Sequence, residues 1–64
     1  MNIYQNIYYV YVENSADYYV TEIIERYFFS KITTARRKEA DLKDKYKDDG
    51  ESQVVFEVVE LIKD

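Results

Sequence analysis

Tyr18-Tyr19-Val20-Thr21-Glu22-Ile23-Ile24-Glu25-Arg26-Tyr27-Phe28-Phe29 decides the fold of this 64-residue chain, because the stretch supports two readings. Apolar pairs at 19/20, 23/24 and 27/28 alternate with polar pairs at 21/22 and 25/26. That is a helical period, and it would run the stretch into the following segment as one long helix over 15–47 in a βαβ order. Residue chemistry argues the other way. Tyr, Val, Thr, Ile and Phe fit a pleated surface, and the turn-forming residues Asn14-Ser15-Ala16-Asp17 come just before. A helix over 15–47 would also far exceed the usual length in a small domain. The strand reading is the one adopted.

The flanks are plainer. Ile7-Tyr8-Tyr9-Val10-Tyr11-Val12-Glu13 is β-branched and aromatic, and predicts a first strand. Gln53 to Ile62 has the same chemistry after the turn cluster Asp49-Gly50-Glu51-Ser52, and predicts the last strand. Between them, Lys31 to Lys47 holds good helix formers and no glycine. Ser30 is placed to cap that helix with its side-chain oxygen, and Gly50 lies just beyond its end. The expected fold is α+β, a three-stranded antiparallel sheet with one helix on one face in the order ββαβ, forming a single domain over 1–64.

Motifs along this order resemble those of short phage-encoded proteins of unknown function. The matching residues are the Tyr-rich first strand, Phe29-Ser30-Lys31 with Ala35 four residues on, Lys43-Asp44-Lys45-Tyr46, and the acidic last strand Val55-Phe56-Glu57-Val58-Val59-Glu60. Arg37, Lys38 and Glu39 depart from the pattern, standing where a larger apolar residue would be looked for. The resemblance implies a phage origin and the ββαβ order, and it brings no catalytic residue with it.

Composition narrows the function. The chain has no cysteine and no histidine, which excludes disulfides, thiolate or imidazole metal sites, and Ser-His or Cys-His nucleophile systems. Carboxylates are plentiful, but paired acid–base work needs a pocket that drives their pKa values apart, and so short a chain has little core from which to shape one. No enzyme activity, cofactor or metal is expected. Asp48-Asp49-Gly50-Glu51 lacks the alternating ligand spacing of an EF-hand and reads as a turn beyond a helix. No apolar run is long enough for a membrane span, and the first residues lack the regions of a signal peptide, so the cytoplasm is expected, that of the host if the protein is phage-encoded.

What remains is surfaces. Pairing the first two strands across Asn14–Asp17, with Glu13 opposite Tyr18, puts Tyr8, Val10, Val12, Tyr19, Thr21 and Ile23 on one face. Ile7, Tyr9, Tyr11, Tyr18, Val20, Glu22 and Ile24 fall on the other. The last strand has no plainly polar face and reads as covered on both sides. One helix, with the thin stripe Ile32, Ala35, Leu42 and Tyr46 interrupted by Glu39, can cover only one of the faces. A contiguous apolar, tyrosine-rich face on a small protein marks an association site. A homodimer or higher oligomer through Tyr9, Tyr11, Tyr18, Val20 and Ile24, aided by edge-strand pairing, is therefore expected.

Charge offers two further surfaces. The net charge of −4 is uneven: residues 1 to 30 carry four acids and one base, 31 to 47 three acids and seven bases, and 48 to 64 six acids and one base. Glu51, Glu57, Glu60 and Asp64 form a candidate acidic array that could compete for a basic nucleic-acid-binding groove. Arg36, Arg37, Lys38, Lys43 and Lys47 are the candidate nucleic-acid contacts of the rival reading, with Tyr46 able to stack on a base. The leading expectation is a non-catalytic phage-type protein that binds and modulates or inhibits a host or defence protein, as a nucleic-acid mimic or by blocking a protein contact.

Overall fold

A computed structural model describes residues 3–17 and 20–63. Strand β1 (Ile3–Asp17) is followed by β2 (Val20–Phe29), helix α1 (Ile32–Lys45) and β3 (Ser52–Lys63). The three strands form one antiparallel sheet in the order β2-β1-β3 with the helix on one face, the expected ββαβ arrangement. The reading of residues 15–47 as one helix fails, because β-branched and aromatic residues of 20–29 pair with β1 along their whole length.

Placing β1 in the centre explains its sequence. From Tyr8 onward it is flanked on both sides, and Val10 and Val12, each 0% exposed, form the core with Ala35 and Leu42 of the helix. Tyr8, Tyr27, Phe29, Tyr46, Val54 and Phe56 pack around that cluster. All the strand residues among them project to the helix side, as the two-residue side-chain period requires.

The hairpin register differs from the expected one. Asn14–Asp17 is not the turn: β1 continues through it, Asp17 pairs with Val20, and Glu13 pairs with Ile23 rather than with Tyr18. The turn chemistry of Asn14 is used within the strand instead, where its side-chain carbonyl oxygen accepts the Ala16 N–H at 3.1 Å beside a register shift. A second shift lies between Val12 and Glu13, and leaves Ile24 as the extra residue of β2. Tyr18 and Tyr19 lie outside the described residues.

The helix starts one residue later than expected. Lys31 occupies the N-cap position in extended conformation with no side-chain cap, so Ser30 falls one position outside and does not cap. Its last turn carries Lys43 and Lys45, which suit the negative end of the helix dipole. Of the expected stripe, Ala35 and Leu42 are buried and Tyr46 packs on the core, while Ile32 is exposed. Glu39 is accommodated in the stripe because Arg36 and Lys43 approach its carboxylate at 2.9 and 3.4 Å. Arg36 also lies 3.8 Å over the Phe56 ring and Lys38 4.2 Å over Tyr27, so charged side chains finish the cover that a short apolar stripe leaves incomplete.

The cover is short relative to the sheet. β1 pairs with β3 from Ile3 onward but with β2 only from Tyr8, so a two-stranded ribbon, Ile3–Ile7 with Val59–Lys63, runs past the end of β2. The Cα extents of 46 × 26 × 11 Å and the radius of gyration of 14.0 Å describe a long flat slab. A compact chain of this length would have a radius of gyration of about 11 Å. β3 is accordingly not covered on both sides as expected: Val58 and Ile62 on its helix side are 54% and 61% exposed, and Val59 and Leu61 on the other are exposed too.

Candidate functional site

The face of the sheet away from the helix is built by alternate residues of all three strands. β1 contributes Ile7, Tyr9, Tyr11 and Glu13; register places Val59, Glu57, Val55 and Gln53 of β3 beside them, with Phe28, Arg26 and Ile23 of β2 on the opposite flank. At its centre is an aromatic row. Tyr9 stacks on Phe28 with ring centroids 4.4 Å apart and meets Tyr11 at 4.6 Å. Tyr11 is 9% exposed although no helix lies over it, because its neighbours on both flanks close around the ring. Its hydroxyl donates to Glu57 Oε1 at 3.0 Å, and that carboxylate raises the Tyr11 pKa, chiefly through the hydrogen bond. Phe28, by contrast, stands 60% exposed.

The expected association residues thus divide. Tyr9 and Tyr11 are brought together at the centre of the open face, Val20 takes the register parity of Glu22 and Asn14 on the opposite side, and Ile24 is the bulged residue. Tyr18 lies outside the described residues. Phe28, Arg26, Ile23, Val55, Val59 and Leu61 join the face instead. The last three were legible as one side of β3, and Arg26 and Phe28 continue the alternation of Tyr18, Val20, Glu22 and Ile24, whereas Ile23 reaches this face only through the bulge at Ile24.

The acidic array does not assemble. Glu57 is on the open face, Glu60 has the parity of the helix side, Glu51 lies in the turn before β3 begins, and Asp64 is outside the described residues. Nine residues of strand put Glu51 and Glu60 about 30 Å apart. The basic set is partly engaged within the fold. Arg36 and Lys38 lie on aromatic rings, Lys43 faces Glu39, and Lys47 Nζ is 3.7 Å from Asp44; Arg37 is exposed.

One polar centre had no distinct sequence signal. Glu25, on the helix side of β2, accepts from the Tyr27 hydroxyl at 2.6 Å, from Lys45 Nζ at 3.0 Å and from the Tyr46 hydroxyl. These donors, Tyr27 foremost, hold its pKa down at about 2. The carboxylate in turn raises Tyr27, Tyr46 and Lys45. The cluster ties the end of the helix to an edge strand, and all four groups are explained by that role.

The acidic turn is also accounted for locally. Asp49 accepts the Glu51 N–H and the Ser52 hydroxyl, both at 2.9 Å, which lowers its pKa. No cavity and no cluster of three acidic residues suited to a metal occurs among the described residues, and no helix there is long and apolar enough to cross a membrane. Comparison with family models, curated proteins and solved structures finds no match to the chain.

Proposed function

We propose that this is a small non-catalytic binding protein of phage type that acts in the host cytoplasm and modulates or inhibits a host or defence protein by covering a surface on it. The observation that carries the reading is the uncovered sheet face with Tyr9, Tyr11 and Phe28 stacked at its centre. Aromatic residues supply large contact area at low entropic cost and are enriched where protein partners meet. Carboxylates of Glu13 and Glu57 on the same face, within a chain of net charge −4, favour a partner with an apolar centre and a basic rim. The acids are too dispersed to favour the nucleic-acid-mimic route, and the engagement of Arg36, Lys38 and Lys43 within the fold weighs against the basic helix as a nucleic-acid site.

Capture of partners from host lysate by tagged protein, with and without nuclease, tests the reading. A protein retained after nuclease, still held when salt rises from about 0.05 to about 0.5 M, and lost with Phe28→Ser is the expected result. Recovery of nucleic acid alone, or capture indifferent to Phe28→Ser, overturns it.

A further inference from the structure

β1 changes character along its length. From Tyr8 to Asn14 it has neighbours on both sides, but from Ile3 to Ile7 only β3 accompanies it, since β2 ends at Phe29 opposite Tyr8. Five consecutive residues thus present one row of backbone N–H and C=O groups with no strand beside them among the described residues. The outer edges of β2 and β3 carry the usual deterrents to pairing with another chain. β2 has Glu22, Glu25, Arg26 and a bulge; β3 has Glu57, Glu60 and Lys63. Ile3-Tyr4-Gln5-Asn6-Ile7 has no charge, proline, glycine or bulge.

The ribbon behind this edge is also poorly supported. Two strands alone are at best marginally stable in water, and here Val59 and Leu61 on one side of the ribbon and Ile62 on the other are exposed. A third and fourth strand would provide what the fold leaves missing.

From this we infer that the occupant of the notch is the same segment of a second copy, Ile3–Ile7 paired antiparallel with itself about a two-fold axis at Gln5. The uncharged sequence of the segment and the end of β2 at Tyr8 select that occupant. With Gln5 opposite Gln5 of the other copy, Ile3 falls opposite Ile7, the last residue before β2 takes up the edge of β1. The junction then reads β3-β1-β1-β3 in one continuous sheet. Leu61, Gln5, Gln5 and Leu61 form its middle layer, and no charged residue stands directly opposite one of like charge across β1–β1. Residues of equal parity share a face across such a pair, so both helices lie on one side and both tyrosine faces on the other. The second copy thus meets the first at an edge, not on the open face where association was expected from the sequence. The inference stands apart from the proposed target contact, which it leaves uncovered.

Charge swapping at the two-fold axis tests it. Gln5→Lys and Gln5→Glu each place like charges opposite one another in a homodimer, whereas an equal mixture of the two pairs opposite charges. Sedimentation at about 100 µM should give twice the 7.8 kDa chain mass for the native protein. The dimer dissociation constant should rise about tenfold or more in each variant alone and recover in the mixture. Amide exchange at Ile3–Ile7 of the native protein should slow as concentration rises, a readout that needs no variant. A native monomer, exchange at Ile3–Ile7 independent of concentration, or a dimer that ignores both Gln5 variants and yields to Phe28→Ser overturns the inference.

Discussion

The two faces of β1 solve opposite problems with neighbouring residues. Val10 and Val12 are sealed under the helix, where Arg36 and Lys38 lie on rings and Glu25 gathers three donors. Tyr9 and Tyr11, one position away, are shielded only by what stands beside them in the sheet. The difference teaches that burial in this protein comes from two sources, a cover laid over one face and lateral crowding on the other. Only the second leaves a surface that a partner can still use.

The contrast breaks most severely at Leu42. Leu42→Ala on the covered face should cost about 2–5 kcal/mol. For 64 residues the whole stability is about 3–10 kcal/mol, so thermal denaturation should show a greatly lowered or absent transition. Phe28→Ser, on the open face, removes a ring that is mostly exposed and should cost about 1 kcal/mol or less from lost stacking on Tyr9, while partner capture disappears. Comparable destabilisation by the two variants would erase the distinction between the faces.

Acid should act on the covered face through Glu25. Its folded pKa of about 2 lies below the ordinary 4.5, so its contribution is complete above about pH 4.5 and is lost as pH falls toward 2. Allowing for screening by water, that contribution is about 1 kcal/mol. Melting temperatures of the native protein should therefore fall more between pH 5 and 2 than those of Glu25→Gln. Parallel curves would mean that the cluster does not discriminate the charged carboxylate. At the alkaline end Tyr11, Tyr27 and Tyr46 all have raised pKa values, so stability should decline as pH rises past 10.

The smallest effect is expected away from both faces. A Cβ added at Gly50 meets no atom within 4 Å, and Gly50 does not have positive φ. Gly50→Ala should stabilise by about 0.4–1 kcal/mol through the unfolded chain, as a small rise in the denaturant midpoint with unchanged slope. A loss of stability would show that the turn needs a conformation it does not display.

These contrasts also locate what could be read in advance. The alternation in β1 was legible because Tyr8, Val10 and Val12 differ in neighbours but not in period from Ile7, Tyr9 and Tyr11. The strand at 20–29 was legible from its β-branched and aromatic chemistry despite a helical period. Its register was not, because Asn14–Asp17 has turn chemistry that the structure spends on a bulge. The bulge at Ile24 then turned Val20 and Glu22 to the helix side and brought Ile23 onto the open face, while Arg26 and Phe28 keep the face that alternation from Tyr18 assigns them. The open side of β1 at Ile3–Ile7 was equally hidden, since it depends on where β2 stops relative to β3, a matter of strand lengths and not of residue types.

Pairing of β1 with β3 has a consequence in time. It joins positions from Asn14 and Ser52 to Ile3 and Lys63, the longest sequence separations in the fold, whereas β1 and β2 meet across a local hairpin. During synthesis the hairpin and helix emerge first, and β1 must wait, with one flank bare, until Ser52–Lys63 has left the ribosome. The sheet is therefore completed after translation of β3, and contacts of such high order place refolding among the slower small domains, in milliseconds to seconds. A nascent chain arrested before Ser52 should accordingly remain protease-sensitive through Ile3–Ile7, the segment whose backbone then has no strand on either side.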